Sequence, residues 1–285
     1  MRTRRVDVVA DHDAPGSQDR ALQQRVARSA RAFSTVIPAH AFYAGTTAVA
    51  LHGLPLEQAI DRLCVAVHSP ARALRGSGVR GIKVSPALAS VRDLNGLRVA
   101  SPASTWAMLA DELTVRQLVI LGDAIVRVPR DAHGRPRPEA QLATIEQLRA
   151  AMEAPRRRGR RALEAALEDV RVGSMSPLET DFRLVSTRGG LPEPRLDVEI
   201  RDDAGRLLGI SDAVYVDERV IAEVEGDHHR MSKAQWDRDI AKYAAYTAQG
   251  WEVVRLTSRH IRGPRPEAVQ IVREALTRRG WRGLR

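Results

Sequence analysis

The sequence predicts a mixed α/β protein. A small α+β unit stands in front of a second unit whose mixed sheet is flanked by helices. Three observations carry this. Apolar runs of period two alternate with stripes of helical period along the chain. Glycine and proline punctuate the segments. The rear of the chain orders its elements as helix, three strands, helix, strand, helix, which makes a mixed sheet with helical cover. The 285 residues suffice for one large or two ordinary domains, and 44% hydrophobic content suffices for packed cores.

Residues 1–35 form a polar arm. "MRTRRVDVVADHDAPGSQDR" is predicted to be poorly ordered, and a charged, Ala-rich helical stretch follows. Residues 36–130 form the front α+β unit. "GTTAVALHGLP" is a short helix with Thr46 as N-cap and Gly53 and Pro55 as stops. "RLCVAVHS" and "GIKVS" are strands. "LRVASPASTWAMLADEL" is a strand, then a helix capped near Ser101 or Ser104. "TVRQLVILGDAIVRV" is a helix capped by Thr114, with Leu118, Leu121 and Ile125 on one face. Asp111, Glu112 and Asp123 read as exposed helix charges.

Residues 131–173 combine a linker with an Arg-rich helical segment. "PRDAHGRPRPEAQ" has linker composition. "APRRRGRRALEAALEDVR" gathers Arg156, Arg157, Arg158, Arg160 and Arg161. Such a run is either a solvated face or a contact to phosphates, which would make binding steeply salt-dependent. Residues 174–285 form the rear unit. Ser176 as N-cap, Pro177 at N1 and Glu179 at N3 make a capping box. "RLDVEI", "LLGISDAVYV", "RVIAEVE" and "WEVVRL" are strands, and "SKAQWDRDIAKYAAYTAQG" is a helix ending at Gly250. "PRPEAVQIVREALTRRG" is the final helix.

A net charge of +10 and a pI near 10.7 favour a polyanionic partner, with DNA the leading candidate. The excess is spread over both halves of the chain. A single cysteine, Cys64, excludes an internal disulfide and a Cys-cluster zinc site and fits a reducing cytoplasm. No apolar run is long enough to span a membrane, and no signal-peptide core is present.

"LLGISDAVYVDERVIAEVEGDHHR", residues 207–230, sets acids inside apolar strands. Unpaired charge is costly to bury, so these carboxylates face water or share something positive. A hairpin turning at Asp217 and Glu218 puts Asp212 opposite Glu223, with Glu225 on the same face. Three carboxylates this close repel unless neutralised. Mg²⁺ or Mn²⁺ would do so and would activate water for phosphodiester hydrolysis. The alternative is ion pairing to an arginine such as Arg238 or Arg255.

These residues resemble the PD-(D/E)xK signature of restriction-endonuclease-like nucleases. Over residues 174–262 the chain is similar to a bacterial domain of unknown function related to very-short-patch repair (Vsr) endonucleases. The ordered motifs are "SPLE" with Glu179, Asp212, "EVEGDHH" with Glu223, Glu225 and His229, "WDRD" with Asp237 and Arg238, and "GWEVVRL" with Arg255. The resemblance implies that Asp212 and Glu223 are metal ligands, with Glu225 orienting water or adding a ligand. Glu225 stands where many such nucleases have lysine, although an acid there is usual in the Vsr-related branch. Lys242 is the candidate substitute. His229 would act as acid or base, or is a surface loop histidine. Glu179 would be an extra ligand, or only part of the capping box. Arg238 and Arg255 would pair with site carboxylates or a phosphate. Restriction-type folds often cut both strands as a homodimer.

Residues 35–130 are similar to AbiEi-type antitoxin proteins, on "TTAVALHGLPL", "GVRG" and "ASPASTWAMLADEL…GDAI". No helix-turn-helix precedes them. The front unit would then bind DNA or a protein partner. Two functions follow: a Mg²⁺-dependent DNA endonuclease, or a non-catalytic DNA-binding or antitoxin-like regulator with a degenerate nuclease fold.

Overall fold

A computed structural model of the chain describes residues 17–57, 60–226 and 233–283. The architecture is mixed α/β, as expected. The front unit runs α1 (Ser17–Phe33), β1 (Phe42–Tyr43), α2 (Gly45–Leu51), β2 (Leu63–His68), β3 (Val79–Val84), β4 (Val91–Leu94), β5 (Leu97–Ala100), α3 (Pro102–Met108) and α4 (Val115–Val126). Its sheet has the order β3-β2-β1-β5-β4, with β1–β5 and β2–β3 parallel. The hairpin β4–β5 turns on Asn95 and Gly96, both with positive φ, the pair a tight hairpin turn requires.

Ser101 caps α3, and Thr114 caps α4 through a complete capping box. Thr46 does not cap α2, which starts after Ala44. The neighbouring Thr47 instead accepts the Cys64 N–H at 2.8 Å, tying the helix to β2.

Helices α5 (Ile145–Glu153) and α6 (Arg160–Asp169) follow. Leu148, Met152, Leu163 and Ala166 share one core with Trp106, Leu118 and Leu121 of α3 and α4. Gly122 permits this closeness, because a Cβ there would meet Val170 Cγ2 at 2.6 Å. The Arg-rich run is therefore only partly helical and is docked: Arg156, Arg157 and Arg158 sit in the turn between the helices, and Arg160 and Arg161 open α6. Arg157 is half-buried, and its guanidinium donates to Ala151 O at 2.9 Å and Leu88 O at 2.7 Å.

The rear unit comprises α7 (Pro177–Arg188), β6 (Arg195–Arg201), β7 (Leu207–Tyr215), β8 (Val220–Glu225), α8 (Lys233–Ala248), β9 (Glu252–Thr257), α9 (Ser258–Arg262) and α10 (Ala268–Arg278). The sheet order is β6-β7-β8-β9, antiparallel except for the β8–β9 pair. Tyr246 of α8 packs on one face against Ile200, Val214 and Ile221. Leu178 and Phe182 of α7 and Ala275 of α10 cover the other, against Ala213, Tyr215 and Ala222.

Helix α7 belongs to both halves. Its Leu184 completes the front core, while Leu178 and Phe182 complete the rear one. Charges line the same seam. Asp181 Oδ1 and Oδ2 each accept from Arg116 of α4 at 2.6 Å, and Oδ2 also accepts from Arg262 Nε at 2.5 Å.

Asp123 corrects the expectation of an exposed charge: it is 1% exposed. Its carboxylate accepts from the Arg171 N–H, the Thr180 hydroxyl and Arg183 Nη2, at 2.8–2.9 Å. Burial pushes this carboxyl up, and those partners, the Arg183 charge foremost, offset that only in part, so it stays raised. Asp111 and Glu112 are surface charges paired to Arg158 and Arg80. Among the described residues, no helix is long and apolar enough to cross a membrane.

Candidate functional site

The β7–β8 hairpin pairs Ala213 with Ala222, Val214 with Ile221 and Tyr215 with Val220. The connection is a four-residue loop, 216–219, closed by the Arg219 N–H on Val216 O at 3.2 Å. It replaces the expected two-residue turn but is centred on the same pair, Asp217 and Glu218, so the register is the expected one. The ladder ends at Ala213 and Ala222. One step further, Asp212 Oδ2 accepts the Val224 N–H at 2.8 Å, so a side chain replaces the next backbone partner.

The opening has a backbone cause. Ala213 and Tyr215 pack towards α7 and α10, whereas the Ser211 hydroxyl lies 3.1 Å from the Tyr246 hydroxyl on α8. Residues two apart on a regular strand share a face, so β7 turns over at Asp212. Strand β6 turns over beside it. Leu196 packs on the α7 side and Val198 on the α8 side, and Asp197 between them has φ +53. The pairs Leu196–Ala213 and Val198–Ser211 bracket these two aspartates. A left-handed non-glycine residue is uncommon, and Asp and Asn tolerate it best.

Arg130, from the stretch expected to be linker, holds the kink. Its Nε donates to Asp197 Oδ2 at 2.9 Å, and its Nη2 donates to Asp197 O at 3.0 Å. Its Nη1 reaches Glu199 Oε1 at 3.1 Å.

Three carboxylates meet at this opening. Glu179 is 8% exposed. Ser176 Oγ caps its N–H at 3.2 Å, as expected. Its own carboxylate accepts from the Met175 N–H at 2.7 Å rather than from Ser176, so the box closes one residue early. Burial raises Glu179 to about 7, and the charges of Asp197 and Glu223 add to this. Burial also raises Asp212 to about 8, reinforced by Glu179 and Glu223 and opposed by the Val224 N–H and Lys242.

Glu223 is 4% exposed. Its Oε1 accepts from the Ser211 hydroxyl at 2.9 Å and lies 3.0 Å from Lys242 Nζ. Lys242 therefore reaches Glu223 from α8, and it also donates to Ile210 O at 3.3 Å.

Glu225 shares the face of Glu223 but is engaged elsewhere. Its Oε1 is 2.5 Å from Arg255 Nε, and that guanidinium lies over the Tyr243 ring. Arg238 is exposed on α8. His229, with Asp227 and His228, lies outside the described residues. Of the Arg-rich run, Arg156 and Arg161 are exposed, Arg158 pairs with Asp111 and Arg160 with Glu164.

Among the described residues, no group of three or more His, Cys, Asp or Glu is arranged as a ready metal cage. The donor set still suits a hard cation. Mg²⁺ takes one or two carboxylates and keeps its waters, and Asp212 and Glu223 are oxygen donors in acid-rich surroundings offset by Lys242. Sequence reasoning missed Asp197, Ser211 and Arg130. An acid between the two apolar residues of "LDV" was the one available signal for the first.

Two uncharacterized proteins of Mycobacterium tuberculosis, from strains CDC 1551 / Oshkosh and ATCC 25618 / H37Rv, are each 28% identical to the chain over 227 residues. These matches cover 78% of this chain and 76% of each relative. No protein-family model matches the chain, and no solved structure matches it significantly.

Proposed function

We propose that this protein is a metal-dependent endonuclease that hydrolyses phosphodiester bonds in DNA, with its centre at Asp212, Glu223 and Glu179. One observation carries the reading: two buried carboxylates, Glu179 and Glu223, lie within electrostatic reach of the half-buried Asp212 where a strand pair opens, and one lysine, Lys242, lies 3.0 Å from Glu223. The helix-strand-strand-strand-helix-strand order around them supports the Vsr-related resemblance.

When bound at Asp212 and Glu223, Mg²⁺ or Mn²⁺ supplies positive charge at the phosphoryl oxygen and lowers the pKa of a bound water. The chain's own residues do the rest. The Val224 N–H and the Ser211 hydroxyl fix Asp212 and Glu223. Lys242 brings the cation that "EVE" lacks. Glu179, titrating near neutrality, takes or gives a proton beside the reacting water. Arg255 holds Glu225 and leaves Asp212 and Glu223 as the two ligands. Cutting both strands of a duplex takes either two successive nicks or a second such site, which a homodimer would supply.

The experiment is cleavage of plasmid and oligonucleotide DNA with Mg²⁺ or Mn²⁺ against EDTA, wild type beside Asp212→Asn. Metal-dependent nicking that disappears in the variant supports the reading. The Glu225–Arg255 pair favours a second reading, a DNA-binding regulator with an antitoxin-like front that engages a protein partner. That reading expects equal, metal-independent DNA binding by both proteins and no cleavage.

A further inference from the structure

A cleft of about 480 Å³ opens between the front and rear halves, on the far side of the first turn of α7 from the carboxylates. Arg20 of α1, His52 and Ala124 line one wall, Met175 and Ser176 the other, and Arg127 stands between them. Among the described residues, no Asp or Glu lines it.

Arg127 is unlike its neighbours. Arg116, Arg130, Arg171 and Arg183 each pair with a carboxylate within 3.1 Å. Arg127 is also half-buried, yet its guanidinium makes one long bond, 3.4 Å to Met175 O, and no carboxylate reaches it among the described residues. Partly desolvated charge without a counter-ion is costly, so the position calls for an anion. Met175 then connects the cleft to the site. Its carbonyl faces Arg127 and its N–H is bound by Glu179. One residue's backbone therefore separates Arg127 from Glu179 of the carboxylate cluster.

We propose that this cleft binds a backbone phosphate of the DNA flanking the position to be cut, with Arg127 as its anchor. The identity of the ligand rests on the endonuclease reading; the anion site itself does not. Arg127 positions the strand and takes no part in the chemistry.

The test is equilibrium binding of a fluorescent duplex oligonucleotide in EDTA across a salt series, in the Asp212→Asn background so that the strand stays whole. Arg127→Ala is expected to weaken binding roughly tenfold and to reduce the salt slope by about one. Arg127→Lys should recover most of the loss. Ala124→Glu, which keeps Arg127 and adds a negative wall, should weaken binding as well. Inorganic phosphate and a nucleoside monophosphate are the small-anion arms. Arg127-dependent binding of these alone, with unchanged oligonucleotide affinity, would overturn the proposal. So would wild-type affinity and slope in both Arg127→Ala and Ala124→Glu with their melting temperatures intact. Failure of wild-type cleavage with Mn²⁺ counts against the endonuclease reading and leaves this binding result legible.

Discussion

Helix α7 carries two buried charge clusters with opposite balance. On the side facing α4, Asp123 meets Arg183, and Asp181 meets both Arg116 and Arg262. On the side facing the rear sheet, Glu179 and Asp212 lie near Glu223, and Lys242 contacts only Glu223 while also offsetting Asp212. The first cluster gives each acid at least one guanidinium and completes it with Thr180 and the Arg171 N–H. The second leaves carboxyls that hold protons up to about 7 and 8. Balanced charge at a seam joins two halves. Unbalanced charge in an opening waits for a ligand.

The sharpest test of that contrast is to strip one partner from each cluster. Arg183→Ala leaves Asp123 buried without its counter-charge and should cost about 3–5 kcal/mol, the usual toll for breaking a buried pair. Asp212→Asn replaces a carboxyl that burial keeps largely protonated at neutral pH with a neutral isostere, so it should leave stability about equal at pH 7 and higher above pH 8, while abolishing the proposed metal-dependent cleavage. Thermal melts beside a nicking assay read both. An equal loss of stability in the two variants would erase the distinction.

Next in size is the response to metal. Mn²⁺ at a hundred times its dissociation constant should stabilise the wild type by about 2.7 kcal/mol. Asp212→Asn and Glu223→Gln should lose that gain, whereas Asp181→Asn should keep it. Calorimetric melts with and without Mn²⁺ decide the matter.

The pH dependence has a definite sign. Asp212 and Glu179 hold protons in the folded state that the unfolded chain has already released. Their contribution to stability is full below pH about 4 and fades as pH rises through about 7 and 8. Without metal, the wild type should therefore lose stability across that window, and Asp212→Asn should flatten the curve. Denaturant melts at pH 5, 7 and 9 would measure it, and a wild-type curve rising with pH over that range would break the account.

The smallest effect belongs at the surface. Arg80 pairs with Glu112 at 2.6 Å, but both side chains are well exposed, so Arg80→Ala should change stability by about 1 kcal/mol or less.

Much of the rear site was legible because strands alternate. "SDAVYVDERVIAE" keeps the hairpin in register for any turn centred on Asp217 and Glu218, so a four-residue loop in place of two left the ladder as expected as far as Ala213 and Ala222, although it stops one step short of the expected Asp212–Glu223 pair. The overturning of β6 and β7 was not legible. It depends on a left-handed Asp197 held by Arg130, a partner 67 positions away, and no local pattern encodes that distance. Asp123 is buried for a different reason. In α4 the residues from Leu118 to Gly122 are buried on every side, so an acid beside them is buried too. The run "LVILGDAIV" is that of a helix enclosed all round, whereas the stripe of Leu118, Leu121 and Ile125 taken alone leaves Asp123 on the opposite face.

The double duty of α7 also bears on how the chain comes off the ribosome. The front helices reach the tunnel exit first, carrying Asp123 at the centre of α4. Until residues 183 and 184 follow, that core lacks both the guanidinium for its acid and the leucine that closes it. The front half therefore finishes folding only when the rear half has begun. The mature protein should melt in one transition and resist dissection into two stable fragments.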